Sequence, residues 1–200
     1  QVGSSAASDV YKRQTWVASL TSDALQESLF GNGPAPVCGA YNPPGKAKKV
    51  DGGYIVSGSW PYSSGSRQAV WYQGGCMIDD DGGPVVPGIN MAYIPMSEVE
   101  IVDSWYVTGM QGTGSDTVVA KDVFIADHMM VTMDKPFGYI EEGKKHVGAA
   151  SDFLPVVPTV RATGLAQLLG AAEYMLEIVE NDAKTKPIIT TTYTLSLIHI

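Results

Sequence analysis

The amino-acid sequence predicts an α+β fold: a small antiparallel β-barrel or sandwich flanked by helices. Three observations predict it. Residues 15–30 carry a helix start signal and helical apolar spacing. Residues 38–127 break into short β-branched and aromatic runs separated by turn residues, and from Pro158 the apolar period returns to steps of three and four. The composition agrees, since 44% hydrophobic and 17% charged residues over 200 positions describe a globular chain able to bury a sizeable core.

Taken in order, residues 1–14 (QVGSSAASDVYKRQ) and 195–200 (LSLIHI) resemble translated sequencing-adaptor sequence. Neither has the basic start, apolar core and cleavage site of a signal peptide, so both are set aside as non-native tails. On that reading the authentic stretch would run from about Thr15 to about Thr194 as an internal fragment; a natural flexible tail is the alternative. In 15–30, Thr21 or Ser22 supplies the cap, Ala24, Leu25, Ser28 and Leu29 follow at helical spacing, and Gly31 and Gly33 stop the run. Val50-Asp51-Gly52-Gly53 is a hairpin signal before Tyr54-Ile55-Val56. Residues 69–78 form a second apolar strand, closed by the run from Asp79 to Pro84, and 89–94, 99–107 and 117–125 complete a rhythm of roughly five to seven strands. From Pro158 to Val179, Leu165, Leu168, Leu169, Ala172, Met175 and Leu176 share one helix face. Gly164, Gly170 and Ala171 permit a close neighbour. So wide an apolar face expects partner helices outside this chain.

Charge and cysteine usage exclude several function classes. A net charge of −8 argues against nucleic acid or an anionic membrane as partner. No apolar run reaches the roughly 18 residues a membrane span needs. Cys38 and Cys76 are too few for a disulfide framework, which fits a reducing, cytoplasmic compartment. His128 and His146 have no partners at metal spacing, so no metal site is expected.

Two glycine-punctuated segments carry the chemistry: VDGGYIVSGSWPYSSGSRQAVWYQGG (50–75) and DSWYVTGMQGTGSDTVVAKDVFIADH (103–128). Together they resemble the central β-domain of the acyl-CoA dehydrogenase superfamily. Within it they are most similar to the oxygenase subunits of two-component, flavin-dependent aromatic monooxygenases. The resemblance implies an acyl-CoA dehydrogenase-like fold. Residues 15–36 would end an amino-terminal helical domain and 37–132 form the central β-domain. Residues 133–194 would hold a linker and the first helix of a carboxy-terminal bundle. In the dehydrogenases, a strand reading roughly Gly-x-Lys-x-Trp-Ile-Thr-Asn lies on the flavin, and the monooxygenases carry a Trp-Pro-Phe/Tyr-x-Ser-Gly run. The run 58–65 matches the latter. It puts Tyr62 at the place that packs on the isoalloxazine and Ser64 at the catalytic hydroxyl beside N5. Ser63 and Gly65 then flank the cofactor edge; the competing reading is a Ser-rich turn at a strand end.

The 109–116 run is not a dinucleotide fingerprint, because its spacing is wrong and a strand follows it. The resemblance makes it the Gly-x-Arg-Gly-Thr-Gly-Ser loop near the flavin mouth. Thr113 and Ser115 are polar contacts there and Gln111 stands where Arg is usual; a structural turn competes. The loop 40–45, with Asn42 facing the cofactor or simply turning the chain before Pro43, lacks the dehydrogenase Thr-Glu-Pro pattern, which favours the monooxygenase branch. Trp105 either lines the pocket or is core.

Reduced FMN or FAD, delivered by a separate flavin reductase, would react with oxygen to a C4a-hydroperoxide that hydroxylates an aromatic or phenolic substrate. The base would be a histidine beyond Thr194, and the full-length assembly a homotetramer. An acyl-CoA dehydrogenase with a glutamate base, also beyond Thr194, is the alternative. A non-catalytic β-rich binding module is the second.

Overall fold

The structure, a computed structural model, describes residues 21–79, 89–133 and 156–186. It divides into two compact units, 1–155 and 156–200. In the first, helix α1 (Asp23–Phe30) precedes β1 (Val37–Val50), β2 (Gly53–Ser63), β3 (Trp71–Asp79), β4 (Ile89–Pro95), β5 (Glu100–Val102), β6 (Asp116–Ala126) and β7 (Met130–Met133). These seven strands make one sheet in the order β5-β6-β2-β1-β3-β4-β7. The sheet curls, because β4 and β6 approach each other although three strands separate them in that order.

The helix starts where the cap requires. Ser22 Oγ accepts from Leu25 N at 3.3 Å, and Leu25 and Leu29 are buried while Ala24 and Ser28 face outward. Gly31 closes it by donating its N–H to Glu27 O, and Gly33 continues at φ 113. The first six residues of the expected 15–30 run, 15–20, lie outside the described residues, as do Asp80–Pro84 and His146.

Val50 pairs with Gly53 across a two-residue turn, and Gly52 takes φ 72 there, as the hairpin signal expects. The expectation of a wholly antiparallel sheet needs correction: β1 and β3 run parallel. The reason is geometric. The hairpin returns β2 to the start of β1, and Val70 and Trp71 N–H both donate to Pro36 O, so β3 sets out beside Val37 in the direction of β1. Two further strand boundaries differ. The run 40–45 is not a free loop but a bulge within β1: between the Ala40↔Gly74 and Gly45↔Cys76 pairs β1 advances five residues and β3 only two. The expected strand 99–107 stops at Val102, because Ser104 and Trp105 N–H donate to the Asp116 carboxylate at 3.1 and 3.2 Å instead of to a neighbouring strand.

At the hairpin end, Lys49 pairs with Asp127 and lies 4.3 Å over the Tyr54 ring, while His128 Nε2 meets Ser28 Oγ at 2.9 Å. These contacts tie α1, the hairpin and the 127–129 turn together.

The second unit contains α2 (Val156–Thr185), 30 residues long. The apolar face read from the sequence is present and exposed: Leu165, Leu168, Leu169, Met175, Leu176 and Val179 lie between 57% and 70% exposed. A Cβ added at Gly170 would meet nothing within 4 Å.

Candidate functional site

Strands β2 and β6 slip against each other twice. Between Val56↔Val123 and Gly58↔Ala120, β6 carries one extra residue; Asp122 takes φ 51 there and exchanges hydrogen bonds with Ser57 Oγ. Between Trp60↔Val118 and Ser63↔Asp116 the extra residue is on β2, and Tyr62 takes φ 62. A left-handed backbone is costly for a bulky aromatic and is found where surrounding structure enforces it. Its effect is to change faces. In a regular strand Tyr62 would follow Trp60 into the core. Instead Trp60 is 0% exposed, Ser63 takes the next inward place, and Tyr62 turns out to 72% exposure. Its ring meets Trp105 edge-on at 6.1 Å.

The inward residue is held tightly. Trp60 Nε1 donates to Gly75 O at 2.8 Å. Gly45, Gly58 and Gly74, on three different strands, leave the space its indole fills: a Cβ at any of them would come within 2.5, 2.5 or 2.8 Å of the ring. Ser63 Oγ donates to Trp60 O and meets the Tyr72 hydroxyl at 2.9 Å, so its polar atom is satisfied inside the core.

Beyond the bulge, Gly65 turns the chain at φ 77 and donates its N–H to Thr113 O at 2.9 Å. That bond brings the 58–65 and 109–116 runs together. Three hydroxyls then form a chain: Ser64 Oγ to Ser115 Oγ at 2.8 Å, and Ser115 Oγ to Thr113 Oγ1 at 2.7 Å. Ser64 is half-buried; Ser115 and Thr113 are buried. The chain ends on Met110 O, which Thr113 Oγ1 reaches at 2.9 Å and Trp105 Nε1 at 3.1 Å. Met110 itself sits at φ 59. Gln111 Nε2 turns back onto Val107 O at 2.8 Å, closing its own loop. Asn42 is exposed on the β1 bulge, and no hydrogen bond among the described residues joins it to the hydroxyl chain.

A brace holds the two runs in place. Arg67 Nε donates to Asp116 Oδ2 at 2.7 Å and its Nη2 to Asp103 Oδ1 at 3.0 Å. The Asp116 side chain is fully buried, and its other oxygen accepts the Ser104 and Trp105 N–H. The Arg67 guanidinium first, and then those two backbone N–H groups, outweigh burial and hold the Asp116 carboxyl below the usual carboxylate range. Sequence reasoning missed Arg67, Asp116 and the Met110 carbonyl as parts of this assembly. The signal available was an Arg directly after one turn and an Asp closing the other.

Elsewhere, Cys38 and Cys76 are both buried, and burial pushes the Cys76 thiol up to about 12. No cluster of metal ligands exists among the described residues. No helix among them is long and apolar enough to cross a membrane. A cavity of about 300 Å³ on α1, lined by Asp23, Gln26, Glu27, Phe30 and Gly31, includes no residue of the 58–65 or 109–116 runs or of the Arg67 brace.

No protein-family model matches the chain. The oxygenase subunit HsaA of a flavin-dependent monooxygenase from Mycobacterium tuberculosis is 43% identical over 118 residues, 58% of this chain and 29% of that protein. Its crystal structure superposes with a TM-score of 0.59 at 40% identity, covering 64% of this chain and 33% of that one. The oxygenase component of an FADH2-dependent resorcinol hydroxylase from Rhizobium sp. is 29% identical over 161 residues, 79% of this chain and 39% of that protein. The structure of XiaF from Streptomyces sp. in complex with FADH2 and glycerol matches with a TM-score of 0.79 over 95% of this chain and 48% of that one. At 24% identity that match speaks to fold alone. The chain thus has the α+β fold of acyl-CoA dehydrogenase-like flavin monooxygenases and spans 29% to 39% of the length of these curated relatives.

Proposed function

We propose that this chain forms one wall of a reduced-flavin site in the oxygenase component of a two-component monooxygenase that hydroxylates an aromatic or phenolic substrate. The observation that carries the reading is the bulge that turns Tyr62 out of the sheet beside the half-buried hydroxyl of Ser64. The residues fit a flavin. Tyr62 offers an exposed aromatic face for a tricyclic ring with Trp105 set edge-on against it, Ser64 offers a hydroxyl at the ring's edge, and Gly114 has nothing within 4 Å of its Cβ position. The relatives support it, since those reported above are oxygenase components of flavin-dependent systems.

Bound reduced flavin supplies the electron pair with which dioxygen is split between the substrate and water. The chain's own residues do the rest of the local work. Tyr62, backed edge-on by Trp105, would cover the ring face and keep water from it, which such oxygen chemistry needs. Ser64 hydrogen-bonds the ring edge, and the Arg67–Asp116 brace fixes the turn that carries Trp105. Under this reading α2 begins a helical bundle that covers its apolar face. A separate reductase supplies the reduced FMN or FAD, the full assembly is a homotetramer, and the location is cytoplasmic.

Anaerobic titration with reduced FMN and reduced FAD tests the proposal. Binding that Ser64→Ala weakens and Tyr62→Ala weakens further is the expected result. Reduction of bound FAD by an acyl-CoA would overturn it in favour of a dehydrogenase.

A further inference from the structure

The hydroxyl chain has a direction. Met110 O is a carbonyl and can only accept, so the Thr113 hydroxyl 2.9 Å away donates to it. A hydroxyl carries one proton. Thr113 Oγ1 therefore faces Ser115 Oγ as an acceptor, and Ser115 donates across the 2.7 Å between them. With its proton committed there, Ser115 accepts from Ser64 at 2.8 Å. The reversed chain, with the Ser64 proton pointing outward, loses the Thr113 hydroxyl bond to Met110 O. The Thr113 and Trp105 N–H groups that also reach Met110 O serve both arrangements equally.

We infer that Ser115 and Thr113 are positioning residues that hold the Ser64 proton inward, so that Ser64 presents a lone pair and selects the flavin form carrying N–H at its edge. The inference rests on the reduced-flavin reading of Ser64. Reduced isoalloxazine has a proton on N5 and donates to that lone pair. The oxidised ring has only a lone pair at N5 and binds either against repulsion or by reversing the chain at the cost of one hydrogen bond. One net hydrogen bond corresponds to about a five-fold difference in affinity.

The test is anaerobic titration of the protein, as its gene encodes it, with reduced and oxidised FMN and with reduced and oxidised FAD. The readout is the ratio of oxidised to reduced Kd. Thr113→Val and Ser115→Ala each lower that ratio about five-fold, and Thr113→Ser, which keeps the hydroxyl, preserves it. Using two variants at separate links keeps the result readable if one of them does not fold. A ratio unchanged in the folded variants overturns the inference; if Ser64→Ala changes it, the flavin reading still stands. Failure of the parent protein to bind any of the four flavins overturns both.

Discussion

Trp60 and Tyr62 are two aromatic residues two positions apart on one strand, and they do opposite things. One is sealed among three glycines and hydrogen-bonded to Gly75 O; the other stands 72% exposed at a left-handed φ. Period-two reasoning would put both on the same face. The difference is a single inserted residue on β2, and it converts a core position into a site position. Residue type does not determine the role here; register does.

Substitution at these positions breaks or sharpens the contrast. The largest effect is at the sealed member: Trp60→Ala should cost about 3–5 kcal/mol in a urea titration, because the glycine-lined space cannot collapse. Gly58→Ala attacks the same packing from outside. Its Cβ would meet the indole at 2.5 Å, and overpacking of that kind costs about 1–3 kcal/mol. Next is the brace behind the exposed member. Asp116→Ala leaves the Ser104 and Trp105 N–H groups without their acceptor, a loss on the order of 1–3 kcal/mol.

The acid dependence of that brace has a definite sign. The folded Asp116 pKa lies below its unfolded value, so the unfolded chain takes up the proton first as pH falls. The stabilisation is complete above the ordinary carboxylate range and disappears as pH drops through the lowered folded value. A series of urea midpoints from neutral pH downward should show this fall in the parent and a shallower one in Asp116→Ala. The smallest effect belongs to Tyr62→Gly. Relief of the left-handed strain and the added chain entropy of glycine oppose each other, leaving stability within about 1 kcal/mol of the parent. Flavin binding should nonetheless weaken. A large stability loss there would show that Tyr62 is a core residue after all.

Much of the fold could be read from the residues because its signals are local. Ser22 and Gly31 cap α1, Gly52 turns the hairpin, and the runs within β3, β4 and β6 are rich in apolar, aromatic or β-branched residues. What could not be read depends on partners distant in sequence. Asn42-Pro43-Pro44 looks like a loop, yet β3 holds strand on either side of it. The run after Val102 looks like strand, yet Asp116 withdraws its N–H groups. The parallel β1–β3 pair follows from where Pro36 meets Val70, which no local pattern encodes. For the site, Ser64, Thr113 and Ser115 were legible as members of two separate motifs. Their union into one hydrogen-bonded chain depends on the Gly65–Thr113 backbone bond. Ser63 was grouped with them by adjacency, but the bulge sends it inward to Tyr72.

The two slips between β2 and β6 have opposite sense, one residue gained on β6 near Asp122 and one on β2 at Tyr62. The pairing at Ser63↔Asp116 is therefore back in phase with the pairing at Val56↔Val123. The offset is a closed interval, invisible to the strands on either side. A graft that exchanges 57–63 together with 116–122 from a relative can thus re-aim the exposed aromatic without re-tuning the rest of the sheet, whereas exchanging one segment for a version without its extra residue leaves the other slip uncompensated and shifts the β2–β6 pairing beyond it.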